Sequence, residues 1–238
     1  MLLTAHQPNF LPYLGFFDKV FAADRFLVVD HVQFVKRGPF GWIHRNKIRT
    51  PDGWQWLTIP VLTSGKYTQP IREVAIAPHA PWRRKHLRSI EVQYGRAPHF
   101  RAVMDALAAL YERPWERLID FTEALISFGL CVLGREVRLE RTSALGIAEH
   151  GTDLIIAMCR ATGADRYLSG VHGRDYLDTD RIERAGIRLE FQDFQHPVYP
   201  QAQPGEFVPN LSWIDFAFCA GTAGARALWP GAGVGARA

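Results

Sequence analysis

A short apolar strand, a helix and a second apolar strand follow one another at the start of the chain, and this order most constrains the fold. Residues 2–6 are apolar and end before Pro8 and Pro12, which predicts a buried strand that ends in a loop. Apolar residues recur at helical spacing over residues 14–21, and residues 26–30 form the next apolar run. A strand–helix–strand unit of this kind joins two parallel strands. The chain therefore opens as an α/β fold.

The middle of the chain changes pattern twice. Residues 40–78 contain alternating β-forming residues around the turn Pro51-Asp52-Gly53, which predicts a small antiparallel β insertion of about three strands, one of them over residues 71–76. Helical periodicity then predicts three helices within a segment of about residues 81–133. Their predicted bounds are 82–94, 100–111 and 115–133.

The last third of the chain alternates strands and helices again. The pattern predicts strands at 137–139, 166–168 and 187–191, and helices at 152–161 and 176–185. The predicted fold class is α/β, with a mainly parallel sheet, flanking helices, the antiparallel insertion and the helical segment. We expect residues 1–228 to form a single domain. Residues 229–238, rich in Gly and Ala, predict a disordered tail.

Composition excludes several classes of protein. A formal net charge of +4 over 238 residues is small and dispersed, which disfavours a nucleic-acid partner. The three cysteines are odd in number and far apart, which indicates a reducing compartment. The sequence has no apolar run long enough for a membrane span, and its first residues do not form a signal peptide. We therefore expect a cytoplasmic protein.

Motifs of common enzyme classes are missing from the sequence. It has no phosphate-binding G-x-x-x-x-G-K-[ST], no G-x-G-x-x-G after a strand, no H-E-x-x-H, no G-x-S-x-G and no carboxylate-rich cluster. ATP hydrolysis, dinucleotide chemistry, zinc proteolysis and serine hydrolysis lose support. No metal site is predicted.

Polar residues follow four of the predicted strands. In open α/β sheets, ligands bind outside the carboxyl ends of the strands. A lone histidine or a Ser-Gly pair at a strand end is more often a turn residue than a catalyst, but four such clusters at one edge favour a binding site. The residues singled out at these ends are His6, Gln7, Asn9, Asp30, Gln33, Ser169, Gly170, Arg174, Tyr176, His196, Tyr199 and Gln201.

Two cationic segments lie outside these strand ends. Arg45 and Lys47 stand near Trp42, a mixture typical of nucleic-acid binding, although cations at the edge of a small sheet also prevent pairing with other chains. The segment Arg83-Arg84-Lys85-His86 opens a predicted helix, where cations oppose the helix dipole unless an anion is present. An ordinary solvated face and a phosphate contact both remain open for each segment.

Seven motifs carry a more specific signal than composition does. In chain order they are His6-Gln7-Pro8-Asn9-Phe10-Leu11-Pro12-Tyr13-Leu14-Gly15-Phe16-Phe17-Asp18-Lys19, Asp30-His31-Val32-Gln33-Phe34, Arg45-Asn46-Lys47-Ile48, Trp82-Arg83-Arg84-Lys85-His86, Tyr167-Leu168-Ser169-Gly170 with Asp175-Tyr176-Leu177, Phe194-Gln195-His196-Pro197-Val198-Tyr199-Pro200-Gln201, and Leu211-Ser212-Trp213-Ile214-Asp215. Together, over residues 1 to about 221, they resemble the WbqC-like family. The chain departs mildly at residues 37–42, where the family usually has a more polar stretch.

The resemblance implies a transferase of polysaccharide, including O-antigen, or natural-product biosynthesis. Our first hypothesis is acyl or aminoacyl transfer that forms an amide on an amine-bearing sugar or carrier-bound intermediate. The donor is expected to be a thioester of coenzyme A or of a carrier protein, or a nucleotide. A carrier protein or a biosynthetic enzyme is the expected macromolecular partner.

The hypothesis assigns a role to each candidate residue. His196 or His6 is the general base, and Ser169 with the Gly170 backbone holds an oxyanion or phosphate. The remaining candidates bind substrate: Lys19, Arg45 and Arg174 neutralise donor phosphates, Tyr199 and Gln201 orient the acceptor, and Gln7, Asn9, Asp30, Gln33, His86 and Tyr176 complete the site.

Two alternatives stay open at this point. The protein could bind a nucleotide sugar or a partner enzyme without catalysis. It could also be a nucleotidyltransferase-like enzyme, because a strand, a histidine-bearing loop and a helix resemble the start of adenylyl-transferring α/β folds. The second histidine of their usual signature is absent, and Leu14-Gly15-Phe16 stands in its place.

Overall fold

The protein is built around a parallel sheet of five strands. The computed structural model describes residues 1–38, 41–78 and 81–230. The strands of this sheet are β1 (Leu2–His6), β2 (Arg25–Val28), β5 (Glu140–Arg141), β6 (Arg166–Ser169) and β7 (Arg188–Phe191), in the spatial order β5-β2-β1-β6-β7. All four neighbouring pairs are parallel. The predicted α/β class with a parallel sheet and flanking helices is confirmed.

A two-stranded antiparallel sheet and seven helices complete the described fold. The small sheet pairs β3 (Arg45–Thr50) with β4 (Gly53–Thr58). The helices are α1 (Leu14–Ala22), α2 (Trp82–Tyr94), α3 (Phe100–Glu112), α4 (Leu118–Val132), α5 (Gly151–Thr162), α6 (Thr179–Arg184) and α7 (Trp213–Leu228). None of these helices is long and apolar enough to cross a lipid bilayer.

Hydrophobic side chains cover both faces of the parallel sheet. Along β2, Phe26 and Val28 contribute to one core, whereas Leu27 points into the other, as the two-residue period of a strand requires. The larger core contains α1, the helical segment α2–α4 and α7. The smaller one contains α5 and α6. Burial of both sheet faces explains why the strands read as continuous apolar runs.

The strand order reverses at one point in the sheet. From β1 the chain moves through α1 to β2 on one side, and from β6 it moves to β7 on the other side. Counted in chain order within this sheet, the strands lie in the order third, second, first, fourth, fifth. The switch point is therefore between β1 and β6, and in doubly wound sheets the ligand crevice lies there.

Several predicted elements differ from the structure. Residues 71–76 are not a strand; they form a 3-10 turn (Ile71–Glu73), because the amides of Ile71 and Arg72 donate to the carbonyls of Val32 and Asp30 after β2. The strand predicted at 137–139 lies at Glu140–Arg141 instead, where it pairs with β2.

Helix ends were also predicted imperfectly. The helix predicted at 176–185 starts only at Thr179, because the carboxylate of Asp178 caps it by accepting from the Arg181 amide. Helix α4 starts at Leu118 rather than at residue 115, since the Leu118 amide donates to Val74 outside the helix. The sequence pattern did not predict α7, although Ser212 caps its first turn.

Trp229 does not belong to a disordered tail. Its indole packs edge-on against Phe21 at 4.8 Å between ring centroids, and its Nε1 donates to Asp18. The remainder of the predicted tail, residues 231–238, lies outside the described residues. The prediction of one domain over residues 1–228 stays a prediction.

The carboxylate of Asp215 joins four separate parts of the chain. It is fully buried at the start of α7 and accepts hydrogen bonds from the Tyr94 hydroxyl, the Tyr199 hydroxyl and the Gln201 amide, all within 2.9 Å. The Tyr94 oxygen in turn accepts from the backbone amide of Arg49. Helix α2, strand β3, helix α7 and the segment after β7 therefore meet at one carboxylate.

We expect Asp215→Asn to destabilise the protein by about 1–3 kcal/mol. The new amide nitrogen cannot accept a hydrogen bond, so at least one of the three donors is left buried without a partner. Urea unfolding followed by circular dichroism measures the change. Asp105→Asn, on the exposed face of α3, is the matched control and should be neutral. Equal stabilities of the two variants would contradict a structural role for the Asp215 carboxylate.

Candidate functional site

The candidate site lies at the carboxyl ends of β1 and β6, on either side of the switch point. The paired register of the two strands ends at Thr4 and Leu168, where the Thr4 hydroxyl donates to the Leu168 carbonyl at 2.7 Å. His6 and Ser169 are the last residues of their strands. The topology therefore brings these two predicted residues to one edge of the sheet, where doubly wound folds have their ligand crevice.

His6 is held as a neutral imidazole. Its Nδ1 lies 3.0 Å from the carbonyl oxygen of Gln7. Because a carbonyl oxygen only accepts, Nδ1 carries the proton and Nε2 has the free lone pair. Burial, followed by the charge of Lys19, lowers the pKa of His6 to about 3. His6 is thus a neutral, weakly basic imidazole at neutral pH, and its Nε2 is a hydrogen-bond acceptor.

Lys19 lies below the end of β1 with its ammonium buried. Its Nζ donates to the Ala5 carbonyl at 2.9 Å, and only 5% of the residue is exposed. Burial lowers the pKa of Lys19 to about 7. No carboxylate in the described residues pairs with this group. A buried cation without a counter-charge beside a strand end is typical of functional sites.

Ser169 and the turn after it form the other wall. The Ser169 hydroxyl donates to the Gly170 carbonyl at 3.1 Å, and a 3-10 turn (Val171–Asp175) follows. A Cβ on Gly173 would lie 2.1 Å from the Ser169 oxygen, so only glycine allows the turn to approach this hydroxyl. The close approach explains one of the two glycines in the Ser-Gly cluster.

The loop after His6 is strained and externally held. Leu11 is buried with a φ of 43°, a left-handed conformation that is uncommon for a residue with a side chain. The Asn46 amide on β3 donates to the carbonyls of Phe10 and Leu11, at 3.3 and 2.6 Å. Within the described residues, the side-chain amides of Gln7 and Asn9 make no hydrogen bond. They are therefore available to a ligand beside His6.

His196 repeats the hydrogen-bonding pattern of His6 in different surroundings. Its Nδ1 lies 2.9 Å from the Pro197 carbonyl, which leaves Nε2 as the acceptor, and burial lowers its pKa. The ring stacks on Tyr199 and touches Phe194 and Phe207. Phe194 packs against Tyr13 at the start of α1, but no contact joins His196 to His6 within the described residues.

Two candidates on the same segment have structural partners. Tyr199 and Gln201 direct their polar groups to the buried Asp215, and Gln201 also bonds both ways with the Val208 backbone. These bonds fix the segment that follows His196. Tyr199 and Gln201 therefore position His196, and their predicted contact with an acceptor stays a prediction.

The other predicted residues are spread more widely. Asp30 is fully buried and accepts from Thr142 and Ser143, which fixes the turn after β5. Gln33 donates to the Tyr67 carbonyl. Arg174 lies over the Phe191 ring, and Tyr176 is 65% exposed, both near Ser169 in sequence.

His86 lies away from the strand ends. Its Nε2 donates to the Thr58 carbonyl and its Nδ1 accepts from Tyr111, so both ring nitrogens are occupied. Burial lowers its pKa to about 4. It is surrounded by aromatic side chains of the larger core. Its predicted contact with substrate would require these bonds to break.

A groove lies between α2 and α3. It encloses about 730 Å³ and is lined by both cations, such as Arg84 and Arg101, and anions, such as Glu91 and Asp105. Its mixed charge and open shape do not indicate any particular class of ligand. None of the residues at the strand ends lines it. We therefore place the candidate site at β1 and β6 on chemistry rather than on volume.

Sequence reasoning gave no role to Tyr94, Asp215 or Gln192. Gln192 donates to the Gly15 carbonyl and to Asp18, tying the end of β7 to α1. A carboxylate inside the apolar run 213–218 was the available signal for Asp215, because such a group must find buried donors. No local pattern marks Tyr94 or Gln192.

We expect Lys19→Met to flatten the pH dependence of stability between pH 7 and 10. In the native state the pKa of Lys19 falls from 10.5 to about 7. In this range the unfolded state binds the proton and the native state does not, so wild-type stability rises with pH. Urea midpoints at pH 7 and 10 measure the slope. Lys66→Met, on an exposed loop, is the control and should keep the wild-type slope. If the stability of Lys19→Met rose with pH as steeply as that of the wild type, the lowered pKa of Lys19 would be contradicted.

A double-mutant cycle tests the contact between Gly173 and Ser169. Gly173→Ala alone should destabilise the protein by about 1–3 kcal/mol, because the new methyl group collides with the Ser169 side chain. In the Ser169→Gly background the same change should cost clearly less, since the colliding atoms are absent. Thermal unfolding of the four proteins gives the coupling energy. Strict additivity would exclude the close approach.

Comparison with known proteins identifies the family of this chain. The model of the WbqC-like protein family matches residues 7–227. A relative described as "Uncharacterized protein Rv1507c", from Mycobacterium tuberculosis (strain ATCC 25618 / H37Rv), is 32% identical over 217 residues, which cover 90% of this chain and 92% of the relative. No solved structure matches the chain. The match begins at Gln7, directly after β1, and it includes the end of β6, the hairpin and Asp215; the chain belongs to the WbqC-like protein family.

Proposed function

We propose that the protein is a transferase that forms an amide, with its reacting groups in the crevice between β1 and β6. The observation that carries the proposal is the neutral His6, whose Nε2 lone pair is free at the end of β1 while Nδ1 is fixed on the Gln7 carbonyl. A base at the switch point of a doubly wound sheet stands where such folds bind their ligands.

The proposed step needs no metal and no protein nucleophile. An acceptor amine attacks the carbonyl carbon of an acyl or aminoacyl thioester, a C–N bond forms, and the amine proton passes to Nε2 of His6. The C–S bond then breaks, and the departing thiolate takes the proton from the imidazolium. The low pKa of His6 favours this second transfer, because a weakly basic imidazole releases its proton readily.

Ser169 and the residues after β1 supply donors for the developing negative charge. Rotation of the Ser169 hydroxyl away from the Gly170 carbonyl would direct its proton into the crevice. The side-chain amides of Gln7 and Asn9 come from the loop after β1, and Lys19, when protonated, contributes positive charge beside the Ala5 carbonyl. This set suits a donor with phosphate groups, such as a coenzyme A thioester or a loaded carrier protein.

His196 offers a second base of the same tautomeric form, and it belongs to a different surface. The aromatic rings around it suit an apolar or sugar-bearing acceptor, and Asp215 holds this segment through Tyr199 and Gln201. In the proposed arrangement His6 serves the reacting amine and His196 binds the acceptor. The amine-bearing acceptor is a sugar or a carrier-bound intermediate of polysaccharide or natural-product biosynthesis.

Nucleotidyl transfer is the second candidate, and the strand order favours it. The third-second-first-fourth-fifth order, with a histidine at the end of β1, is the arrangement in which doubly wound sheets bind nucleotides. In that case His6 and Lys19 would contact the phosphates of a nucleoside triphosphate. The two candidates share the crevice and differ in the donor.

The experiment is a ligand screen followed by kinetics. Thermal shifts with coenzyme A thioesters, nucleoside triphosphates and amine-bearing nucleotide sugars identify the donor and acceptor classes. With that pair, His6→Ala should lower turnover by about 10²–10⁴-fold. His6→Asn, which keeps a donor toward Gln7 but has no basic nitrogen, should lose the same activity with an unchanged melting temperature.

The possible outcomes separate the candidates. A higher melting temperature with a thioester, together with an amide product, supports acyl transfer. A higher melting temperature with a nucleoside triphosphate, together with release of pyrophosphate, supports nucleotidyl transfer. Full activity of His6→Asn would remove His6 as the base, and loss through His196→Ala alone would move that role to His196. Binding without any product would favour the non-catalytic alternative.

A further inference from the structure

The hairpin β3–β4 carries an aromatic and cationic surface away from the ends of β1 and β6, and this surface includes Arg45, which the sequence assigned to donor phosphates. Arg45 and Lys47 point to the same face of the hairpin, because they are two residues apart on one strand. Trp54 and Trp56 on β4 share this face, with Trp56 directly opposite Lys47. Together with Trp42 before β3, we call these five residues the tryptophan platform.

Both cations of the platform are held over indole rings. The Arg45 guanidinium carbon lies 4.3 Å from the centroid of Trp56. The Lys47 ammonium lies 4.1 Å from the centroid of Trp54 and 5.4 Å from that of Trp56. Cation–π attraction of this kind restrains long side chains that would otherwise move freely in solvent. The two charges are thus fixed before any ligand arrives.

Neither cation has a counter-charge in the part of the chain that the structure describes. No ion pair includes Arg45 or Lys47. The Nε of Arg45 donates to the Gly41 carbonyl, and its outer N–H groups have no partner among the described residues. Burial and the charge of Arg45 lower the pKa of Lys47. Two like charges on one face, without an anion, oppose folding unless a ligand neutralises them.

Protection of a sheet edge does not account for this arrangement. Cations that discourage strand pairing extend into solvent along the open edge. Here they lie across the face of the hairpin, and Trp54 remains 44% exposed beside them. A large exposed indole beside a fixed ammonium, with a fixed guanidinium over the neighbouring Trp56 ring, is a combination that suits an anionic group attached to a flat ring.

We propose that the tryptophan platform binds the nucleoside diphosphate part of a small-molecule ligand. The outer N–H edge of Arg45 matches the paired oxygens of a phosphate, and Lys47 supplies a point charge for the second phosphate. The Trp54 indole, which is 44% exposed, takes the base by stacking. Two fixed cations and one exposed indole match two phosphates and one base.

The platform is attached directly to the loop that follows His6. The Trp42 carbonyl accepts from the Phe10 amide at 3.1 Å, and the Asn46 side chain on β3 holds the carbonyls of Phe10 and Leu11. Asn46 alternates with Arg45 and Lys47 along β3, so the β1 loop holds the hairpin from the face opposite the platform. The inference does not depend on the transferase proposal, since it rests on other side chains.

The test is titration of the full-length protein with single nucleoside diphosphates, using tryptophan fluorescence and calorimetry. We expect one or more of ADP, GDP, CDP and UDP to bind, and Arg45→Gln or Lys47→Gln to weaken that binding at least tenfold. Arg45→Lys and Lys47→Arg keep the charges and should retain most of it. Arg160→Gln, an exposed cation on α5, is the control and should bind like the wild type.

Further measurements separate this site from the crevice between β1 and β6. Trp54→Leu should weaken nucleoside diphosphate binding about tenfold and leave inorganic pyrophosphate unaffected, because only the base stacks. Lys19→Met reports separately on binding in the crevice, where Lys19 lies. Binding that depends on Lys19 but not on Arg45 or Lys47 would overturn the platform site and support the crevice instead.

Two further results would also overturn the inference. One is the absence of binding by all four nucleoside diphosphates at millimolar concentration, with Arg45→Gln and Lys47→Gln folded like the wild type by circular dichroism. The other is a strong preference for an eight-nucleotide single strand over mononucleotides, with affinity that falls steeply with salt. That preference would identify a nucleic-acid surface.

Discussion

The buried carboxylate of Asp215 is the interaction on which the arrangement of the site depends. A charged group with no exposure is tolerated only when donors surround it, and here Tyr94, Tyr199 and Gln201 supply them. Burial still raises its pKa above the usual carboxyl range. Because these donors come from α2 and from the segment after β7, satisfying one carboxylate fixes the hairpin side of the molecule against the His196 side.

The loop after β1 also depends on hydrogen bonds from distant parts of the chain. Its carbonyls at Phe10 and Leu11 are held by Asn46 of the hairpin, and the Trp213 amide at the start of α7 donates to the Pro12 carbonyl. The left-handed backbone at Leu11 is kept by contacts from two distant elements. The preorganised crevice and the tryptophan platform are therefore parts of one connected framework, although their ligand-binding groups are separate.

Local pattern predicted most of the elements and only part of the site. The predicted bounds of residues 2–6 and 82–94 match the structure, because the apolar pattern ends there at proline or glycine residues. His6 and Ser169 could be placed at one edge because parallel strands end together. The burial of His86 and the bonding of Tyr199 to Asp215 could not be predicted, because each depends on partners 15 or more residues away.

The sequence by itself determined the α/β class, the helices of the middle segment and the candidate histidines, all of which follow from local spacing and residue chemistry. Tertiary structure alone decided the strand order, and with it the switch point between β1 and β6. It also decided which histidines keep a free nitrogen: His6 and His196 donate to the carbonyl of the next residue, whereas His86 is bonded at both nitrogens. The physical reason is that burial and hydrogen-bond partners are properties of packing, which brings together residues that no short stretch of sequence contains.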